Sequence, residues 1–328
     1  MMRRLLVTGG AGFIGSHLVE HCLRGEAFER VVVLDALTYA SSQANLAAVR
    51  TAAQFRFVQG DICDQQLVEQ LLREERLDCI VNCAAETHVD RSIADAAAFL
   101  RSNVIGVQSL LEAARTVWLN GPSAVPHRFY QLSTDEVFGV VAELAPARDE
   151  SAAYAPRSPY AASKAAADHL VQAWRHTHGM RVSISYSSNV YGPRQHEEKF
   201  IPVIIRSLAR GEPVPVYGDG LQRRSWLHVA DLCRALERFL APDMEGLGLY
   251  VGADGETTNV GLVHRLCAIA GCAAGTAIRH TQDRPGHDRR YGMCAGRFAA
   301  LTGFVPRMDL DRGLAGTLDW YGQQQPRR

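Results

Sequence analysis

The feature that most constrains this chain lies within its first fifteen residues. Arg4-Leu5-Leu6-Val7-Thr8 is an apolar run, and Phe13 to Arg24 has helical periodicity. The junction between them reads Gly9-Gly10-Ala11-Gly12-Phe13-Ile14-Gly15. Glycines at 9, 12 and 15 permit a tight turn, close approach of backbone to a pyrophosphate, and close helix–strand packing. The helix start then aims its amides and partial positive charge at the phosphates. A glycine triplet alone is weak evidence; its place between an apolar run and a helical segment near the N-terminus is what points to a dinucleotide-binding α/β sheet. Asp35 ends the next apolar run, Arg30–Asp35. A carboxylate there can accept from both ribose hydroxyls and repels a 2′-phosphate, which selects NAD over NADP. A ligand-free turn with a capping Asp35 is the plainer alternative.

The alternation continues. Strands are expected at Phe55–Gln59, Cys79–Cys83, Arg128–Leu132 and Val182–Tyr186, and helices at Asp64–Glu75, Phe99–Leu119 and Pro159–Thr177. Continuous β-branched runs separated by helices mean a parallel sheet covered on both faces. The fold class is therefore α/β, a Rossmann-type doubly wound sheet. After Tyr191 prolines and Gly-x-Gly turns break the rhythm, with helices expected near 230–240, 259–270 and 312–321. The division expected is an NAD-binding domain over 1–189 and a smaller C-terminal α/β substrate domain over 190–328, with some elements returning to the first. Asp61 and Ile62 follow the third strand and would bracket the adenine. Ala84 and Ala85 follow the fourth and would leave room for the cofactor.

Tyr160-Ala-Ala-Ser-Lys164 follows Ser158-Pro159. A spacing of four puts both side chains on one helical face. An ammonium there is expected to lower the phenol pKa, so that Tyr160 can take a hydroxyl proton as hydride leaves the same carbon. Lys164 and Lys199 are the only lysines; every other basic residue is arginine. That skew suggests that a compact ammonium is wanted at these two places. Strand five runs into Ser133-Thr134-Asp135-Glu136, and open parallel sheets place their sites at strand C-termini. Thr134 can bond the hydroxyl that Tyr160 deprotonates. Two adjacent carboxylates can split into an acid and a base. One pattern is read as a decoy: His17-Leu-Val-Glu-His21 matches a zinc-peptidase motif, but its helix must serve the sheet and the pyrophosphate, so no metal is expected.

Composition excludes other classes. Basic and acidic residues balance at 35 each in 328 residues, so neither nucleic-acid nor membrane-surface binding is expected. No apolar run reaches the roughly 18 residues of a spanning helix. The N-terminus enters the glycine turn too early for a secretory leader. Eight scattered cysteines without a Cys-x-x-Cys motif suggest free thiols in a reducing, cytoplasmic setting.

The glycine junction, Tyr-x-x-x-Lys and Thr134 together resemble the extended short-chain dehydrogenase/reductase superfamily. Within it, Ser133-Thr-Asp-Glu-Val-Phe-Gly139, Ala84-Ala-Glu-Thr-His-Val-Asp-Arg91, Asn189-Val-Tyr-Gly-Pro193, Glu198-Lys-Phe-Ile-Pro202 and Asp283-Arg-Pro-Gly-His-Asp-Arg-Arg-Tyr291 resemble the nucleoside-diphosphate-glucose 4,6-dehydratases. Their best-known members act on dTDP-glucose. The resemblance implies that Asp135 is the acid and Glu136 the base of an elimination that yields a 4-keto-6-deoxy-glucose nucleotide. It adds Phe13, Ile14, Thr38 and Ser102 to the NAD site. It places Thr87, Asn189, Glu198, Lys199, Pro215, Tyr217, Arg224, Asn259, Arg284 and His287 around a nucleoside-diphosphate-glucose, with Arg224 on the diphosphate. It further implies a homodimer built on helices such as 99–119 and 159–177. Val190 and Arg224-Ser225 depart toward relatives that use UDP-glucose, which stays open as a substrate, and Phe138 replaces a common Tyr. The rival readings are a nucleotide-sugar 4-epimerase, which needs no Asp135–Glu136 pair, and a non-catalytic NAD sensor.

Overall fold

The computed structural model describes residues 4–25, 27–120, 126–272 and 278–324. In chain order the elements are β1 (Arg4–Thr8), α1 (Phe13–Arg24), β2 (Arg30–Asp35), β3 (Phe55–Gln59), α2 (Gln65–Glu74), β4 (Cys79–Asn82), α3 (Val89–Ala94), α4 (Ala97–Leu100), α5 (Gly106–Ala114) and β5 (Arg128–Thr134). Then come α6 (Pro159–His178), β6 (Val182–Ser187), β7 (Asn189–Tyr191), α7 (Phe200–Arg210), β8 (Val214–Tyr217), β9 (Arg223–Arg224) and β10 (Trp226–His228). The chain finishes with α8 (Val229–Phe239), β11 (Gly248–Val251), β12 (Thr257–Thr258), α9 (Asn259–Ile269), β13 (Ile278–Thr281), α10 (Gly296–Thr302) and α11 (Leu310–Gln324).

The central sheet has seven strands in the order β11-β6-β5-β4-β1-β2-β3. The pairings from β3 through β5 are parallel. Leu5, Leu6, Val7, Val31 to Leu34, Ile80 and Val81 are buried. At about 1.5–3 kcal/mol for each large apolar side chain removed from water, such runs must sit between two helical layers. The order reverses beside β1, and the carboxyl ends of β1 and β4 open a crevice there. Three buried polar side chains span the middle of the sheet. Thr8 donates to Asn82 at 2.5 Å, and Asn82 donates to Gln131 at 2.9 Å.

Helix boundaries follow local chemistry. Ser158 caps α6 by accepting from the Ala161 amide, Pro159 opens it, and left-handed Gly179 closes it. The helix expected over 99–119 contains π-helical turns at Arg101–Ile105 and Arg115–Leu119 on either side of α5.

Two compact units emerge, and neither is continuous in sequence. One takes the chain up to Val137, Pro156–Tyr186 and Cys233–Leu249; the other takes Phe138–Ala155, Ser187–Leu232 and the chain from Tyr250. The units do not coincide with the spans 1–189 and 190–328: Phe138–Ala155 falls in the second unit and Cys233–Leu249 in the first. Backbone bonds explain one of them: Val141 donates to Arg290, Arg148 to Gly292, and Cys294 to Arg148. The second unit has its own core of Ile201, Ile204, Ile205, Val214, Leu262, Val263, Leu266 and Leu314. Its two-stranded sheets and α7 were not legible as a regular rhythm.

Candidate active site

The end of β5 and the first turns of α6 carry the densest chemistry. Thr134 is the last residue of β5, and Asp135–Phe138 forms a 3₁₀ turn. The Tyr160 phenol is buried and hydrogen-bonds Thr134. Thr134 Oγ1 donates to Asp135 Oδ1 at 3.4 Å and accepts from the Glu136 amide at 3.4 Å. Tyr160, Thr134, Asp135 and Glu136 thus form one group. Lys164 Nζ donates to the Leu132 carbonyl at 2.7 Å.

The electrostatics differ from the expectation drawn from spacing. The Tyr160 phenol is held above its ordinary range, first by burial and then by the Glu136 carboxylate, and the Thr134 hydrogen bond only partly offsets them. Lys164 is pulled below its ordinary range by burial, which Asp168 and Cys83 oppose. The expected lowering of the phenol by Lys164 therefore gives way to desolvation.

Two supporting residues give no signal in the sequence. Asn103 is buried; its Oδ1 accepts from the Glu86 amide at 2.9 Å, while Nδ2 donates to the Glu86 carbonyl at 3.0 Å and to Ser163 at 2.9 Å. Ser163 in turn donates to the Tyr160 carbonyl at 2.7 Å. Ser92 Oγ accepts from the Tyr160 amide at 3.2 Å. A lone Asn or Ser inside a helix has no motif that marks such a role.

The glycine junction forms a cradle that side chains would fill. Gly9 has φ +64°, and a Cβ there would stand 2.7 Å from the Ala84 backbone; one on Gly15 would run into Gly9 O. Gly10, outside the 9/12/15 spacing, is also tight, since a Cβ there would meet the Val33 side chain at 2.7 Å. Gly12 caps α1 without a side-chain bond. Phe13 and Ile14 open the helix, and Phe13 packs edge-on to His17. Asp35 is buried and accepts from the Ala11 amide at 2.9 Å, the Leu37 amide at 2.8 Å and Ser41 at 2.9 Å. Those three protein donors occupy part of the carboxylate's roughly four acceptor positions. Thr38 accepts from the Ser41 amide in the same loop.

Asp61 bonds Arg101 at 2.8 Å, and the Cys63 amide and that guanidinium outweigh burial to hold it below its ordinary range. Ile62 is buried against Gly106, where a Cβ would meet it at 2.5 Å. Ala84 and Ala85 lie half-buried beyond β4, Thr87 is exposed, and Ser102 sits in the first π turn. His21 pairs with Glu237 at 2.7 Å. Among the described residues no group of three His, Cys, Asp or Glu is arranged to hold a metal.

We expect Gly15→Ala to lose bound NAD, because its Cβ meets backbone that cannot move aside. Overpacking of this kind costs about 1–3 kcal/mol. Gly12→Ala meets only Gly9 O within the protein, at 3.2 Å, so it should fold normally, but its Cβ would stand where backbone must approach the pyrophosphate and bound NAD should fall there too. Cofactor content after desalting, read by absorbance and mass, checks both.

In the second unit a separate polar cluster forms. Arg284 lies 4.8 Å over the Tyr217 ring, His287 packs edge-on to the same ring, and His287 Nδ1 bonds Asp283 at 2.6 Å. Gln222 donates to Asp283 at 3.4 Å, and Asn259 to Gln222 at 3.3 Å. Burial lowers the His287 pKa against the opposing pull of Asp283. Asp283 opens the Asp-Arg-Pro-Gly-His stretch but joins the cluster only through its contacts with His287 and Gln222, and Gln222 has no motif of its own. Pro215 lies beside Tyr217 on β8. Arg224 donates to the carbonyls of Asp288 at 2.7 Å and Arg223 at 2.8 Å, and stacks 4.3 Å from the Tyr291 ring. Part of its fork is therefore committed to backbone. Asn189 lies on β7, Glu198 beside His196, and Lys199 at the N-cap of α7. A lysine at the positive end of a helix is locally unfavourable.

Comparison with known proteins sharpens this. The family model described as GDP-mannose 4,6 dehydratase matches residues 6–317. The dTDP-glucose 4,6-dehydratase of Streptomyces niveus is 46% identical over 323 residues, which cover 97% of this chain and 92% of that protein. The chain belongs to this dehydratase family. The crystal structure of DesIV, the dTDP-glucose 4,6-dehydratase of Streptomyces venezuelae with NAD bound, matches with a TM-score of 0.91 at 42% identity, covering 98% of this chain and 97% of that one. The UDP-glucose 4-epimerase of Thermus thermophilus, in complex with NAD, reaches a TM-score of 0.87 at 30% identity, with 97% and 99% covered. The dehydratases are the nearer group in sequence. The fold alone does not separate the two activities.

Proposed function

We propose that the chain is an NAD-dependent hydro-lyase that converts dTDP-glucose to its 4-keto-6-deoxy derivative. One observation carries this reading: Asp135 and Glu136 stand in the same group as Thr134 and the Tyr160 phenol. An epimerase needs the last two but not the acid pair. The dTDP-glucose name of the 46% relative favours that nucleotide over the UDP-glucose suggested by Val190 and Ser225. A cofactor-sensing role would leave the buried Tyr160, Lys164 and Thr134 without a purpose.

The cradle at Gly9, Gly12 and Gly15, with Phe13, Ile14, Asp35, Thr38, Asp61, Ile62, Ala84, Ala85, Ser102, Tyr160 and Lys164, suits NAD, because side chains are excluded where backbone must meet phosphate. NAD bound there supplies a hydride acceptor for C4 and donor for C6, and in its oxidised form a positive charge that favours phenolate. Tyr160 takes the C4 hydroxyl proton, with Thr134 orienting that hydroxyl. The resulting ketone acidifies C5–H, Glu136 removes that proton, and Asp135 protonates the departing C6 oxygen as water; Glu136, after exchange with solvent, would return a proton to C5 when hydride is restored at C6. The second unit holds the nucleoside diphosphate in this reading. Tyr217 and Pro215 offer a face for the base, and Lys199, Arg224, Arg284, Asn259 and His287 offer donors. The family resemblance adds Asn189 and Glu198 in that same unit, and Thr87 in the first unit, as sugar-binding candidates.

Incubation with dTDP-glucose and, separately, UDP-glucose tests the reading. A mass loss of one water from the first is expected. Inversion at C4 with no mass change would instead make it an epimerase.

We also propose a cytoplasmic homodimer. Eight free cysteines, half of them buried, fit a reducing compartment. No helix among the described residues is long and apolar enough to cross a membrane. Ile93, Leu100 and Ile105 are exposed at 38%, 52% and 53% along the α3–α5 stretch, an apolar strip that a second copy would cover. Light scattering should give twice the chain mass, and Leu100→Glu with Ile105→Glu should halve it.

A further inference from the structure

The carboxylate of Asp168 has no part in the reaction as derived, yet it is 1% exposed. Burying a charge is costly unless it is paired and hydrogen-bonded. Tyr160, Lys164 and Asp168 follow one another at intervals of four on the buried face of α6. Lys164 Nζ donates to Leu132 O at 2.7 Å, and the neighbouring Ser133 Oγ donates to Asp168 Oδ2 at 2.5 Å. Two successive residues of β5 are therefore gripped by two successive turns of α6. The next residues along the chain are Thr134, Asp135 and Glu136.

We propose that Asp168 is a positioning residue, which fixes α6 against the end of β5 through Ser133 and supplies the counter-charge to the buried Lys164 ammonium. This rests on the dehydratase reading. The groups that act on Lys164 are Cys83 at the end of β4 and Asp168 on its own helix; burial lowers its pKa and both of these raise it. Asp135 and Glu136 act on Tyr160, as Asp168 also does. Loss of the Asp168 charge leaves desolvation of the ammonium with little to oppose it. The ammonium then gives up its proton at a lower pH.

The test is the pH profile of kcat for wild type, Asp168→Asn and Ser133→Ala. In Asp168→Asn the alkaline limb should move toward acid by about one unit or more, with turnover down about tenfold on that limb, since one unit is a tenfold change in protonation. KM for the nucleotide sugar should change little. Ser133→Ala removes the clamp but keeps the charge, so its limb should stay in place while kcat falls modestly. An unmoved limb in Asp168→Asn, or an equal shift in Ser133→Ala, overturns the proposal. If near-ultraviolet circular dichroism shows that Asp168→Asn is unfolded, Asp168→Glu decides. It keeps the charge, so its limb should stay at the wild-type pH, and a limb displaced toward acid sinks the idea. Wild type that converts neither sugar nucleotide at any pH would instead remove the dehydratase reading itself.

Discussion

Asp135→Asn and Glu136→Gln should each lose dehydration by about 10²–10⁴-fold while still oxidising C4. That range is the usual contribution of a positioned acid or base. Elimination needs a proton for the C6 oxygen and a base for C5–H, whereas removal of the C4 hydroxyl proton falls to Tyr160. The amide of Asp135→Asn keeps an acceptor for Thr134, so the local geometry should survive. Single-turnover absorbance should therefore show reduced cofactor accumulating without loss of water. With C4-deuterated substrate the wild type should return deuterium to C6 of the same molecule, and one solvent hydrogen should enter at C5. If both variants dehydrate at the wild-type rate, the roles given to the pair are wrong.

Lys164→Arg should be nearly as damaging, a loss of about 10²-fold or more in kcat, although the charge is retained. Lys164 is 4% exposed and its ammonium reaches Leu132 O at 2.7 Å. A guanidinium is planar and wider, and it brings five donors where the ammonium brings three. The surplus donors would be buried without acceptors, or the side chain would push α6 away from β5. Bound NAD should also fall. Turnover near the wild-type level, measured at saturating substrate, would reduce Lys164 to a generic positive charge. The argument built on the scarcity of lysine would go with it.

Much of this site is legible in one dimension because its chemistry is local. Gly9, Gly12 and Gly15 are spaced by the turn they form, and Tyr160 and Lys164 by one helical turn. Thr134, Asp135 and Glu136 are consecutive on a strand end. Local spacing also marks Ser158-Pro159 as the start of α6. The second unit was less legible. Gln222, Asp283, Asn259 and His287 meet only because separate segments, among them the start of α9, converge, and no periodicity reports such a meeting. The same holds for Asn103, whose bonds to Glu86 and Ser163 join segments far apart in the chain.

The amino-acid sequence determined the fold class and marked the candidate cofactor crevice and the side chains proposed to react. In each case the signal is a short-range pattern of apolar runs, glycines and helical spacing. Tertiary structure decided how those groups are charged and held. Spacing alone predicts that Lys164 lowers the Tyr160 phenol. Burial and the Glu136 carboxylate raise it instead, and the Lys164 ammonium is committed to the β5 backbone. Likewise Phe138–Ala155 looks like a continuation of the first domain, yet its backbone bonds to residues 290–294 assign it to the second unit. Desolvation and long-range hydrogen bonding depend on what surrounds a residue in space, and neighbours in sequence supply only a small part of that surrounding.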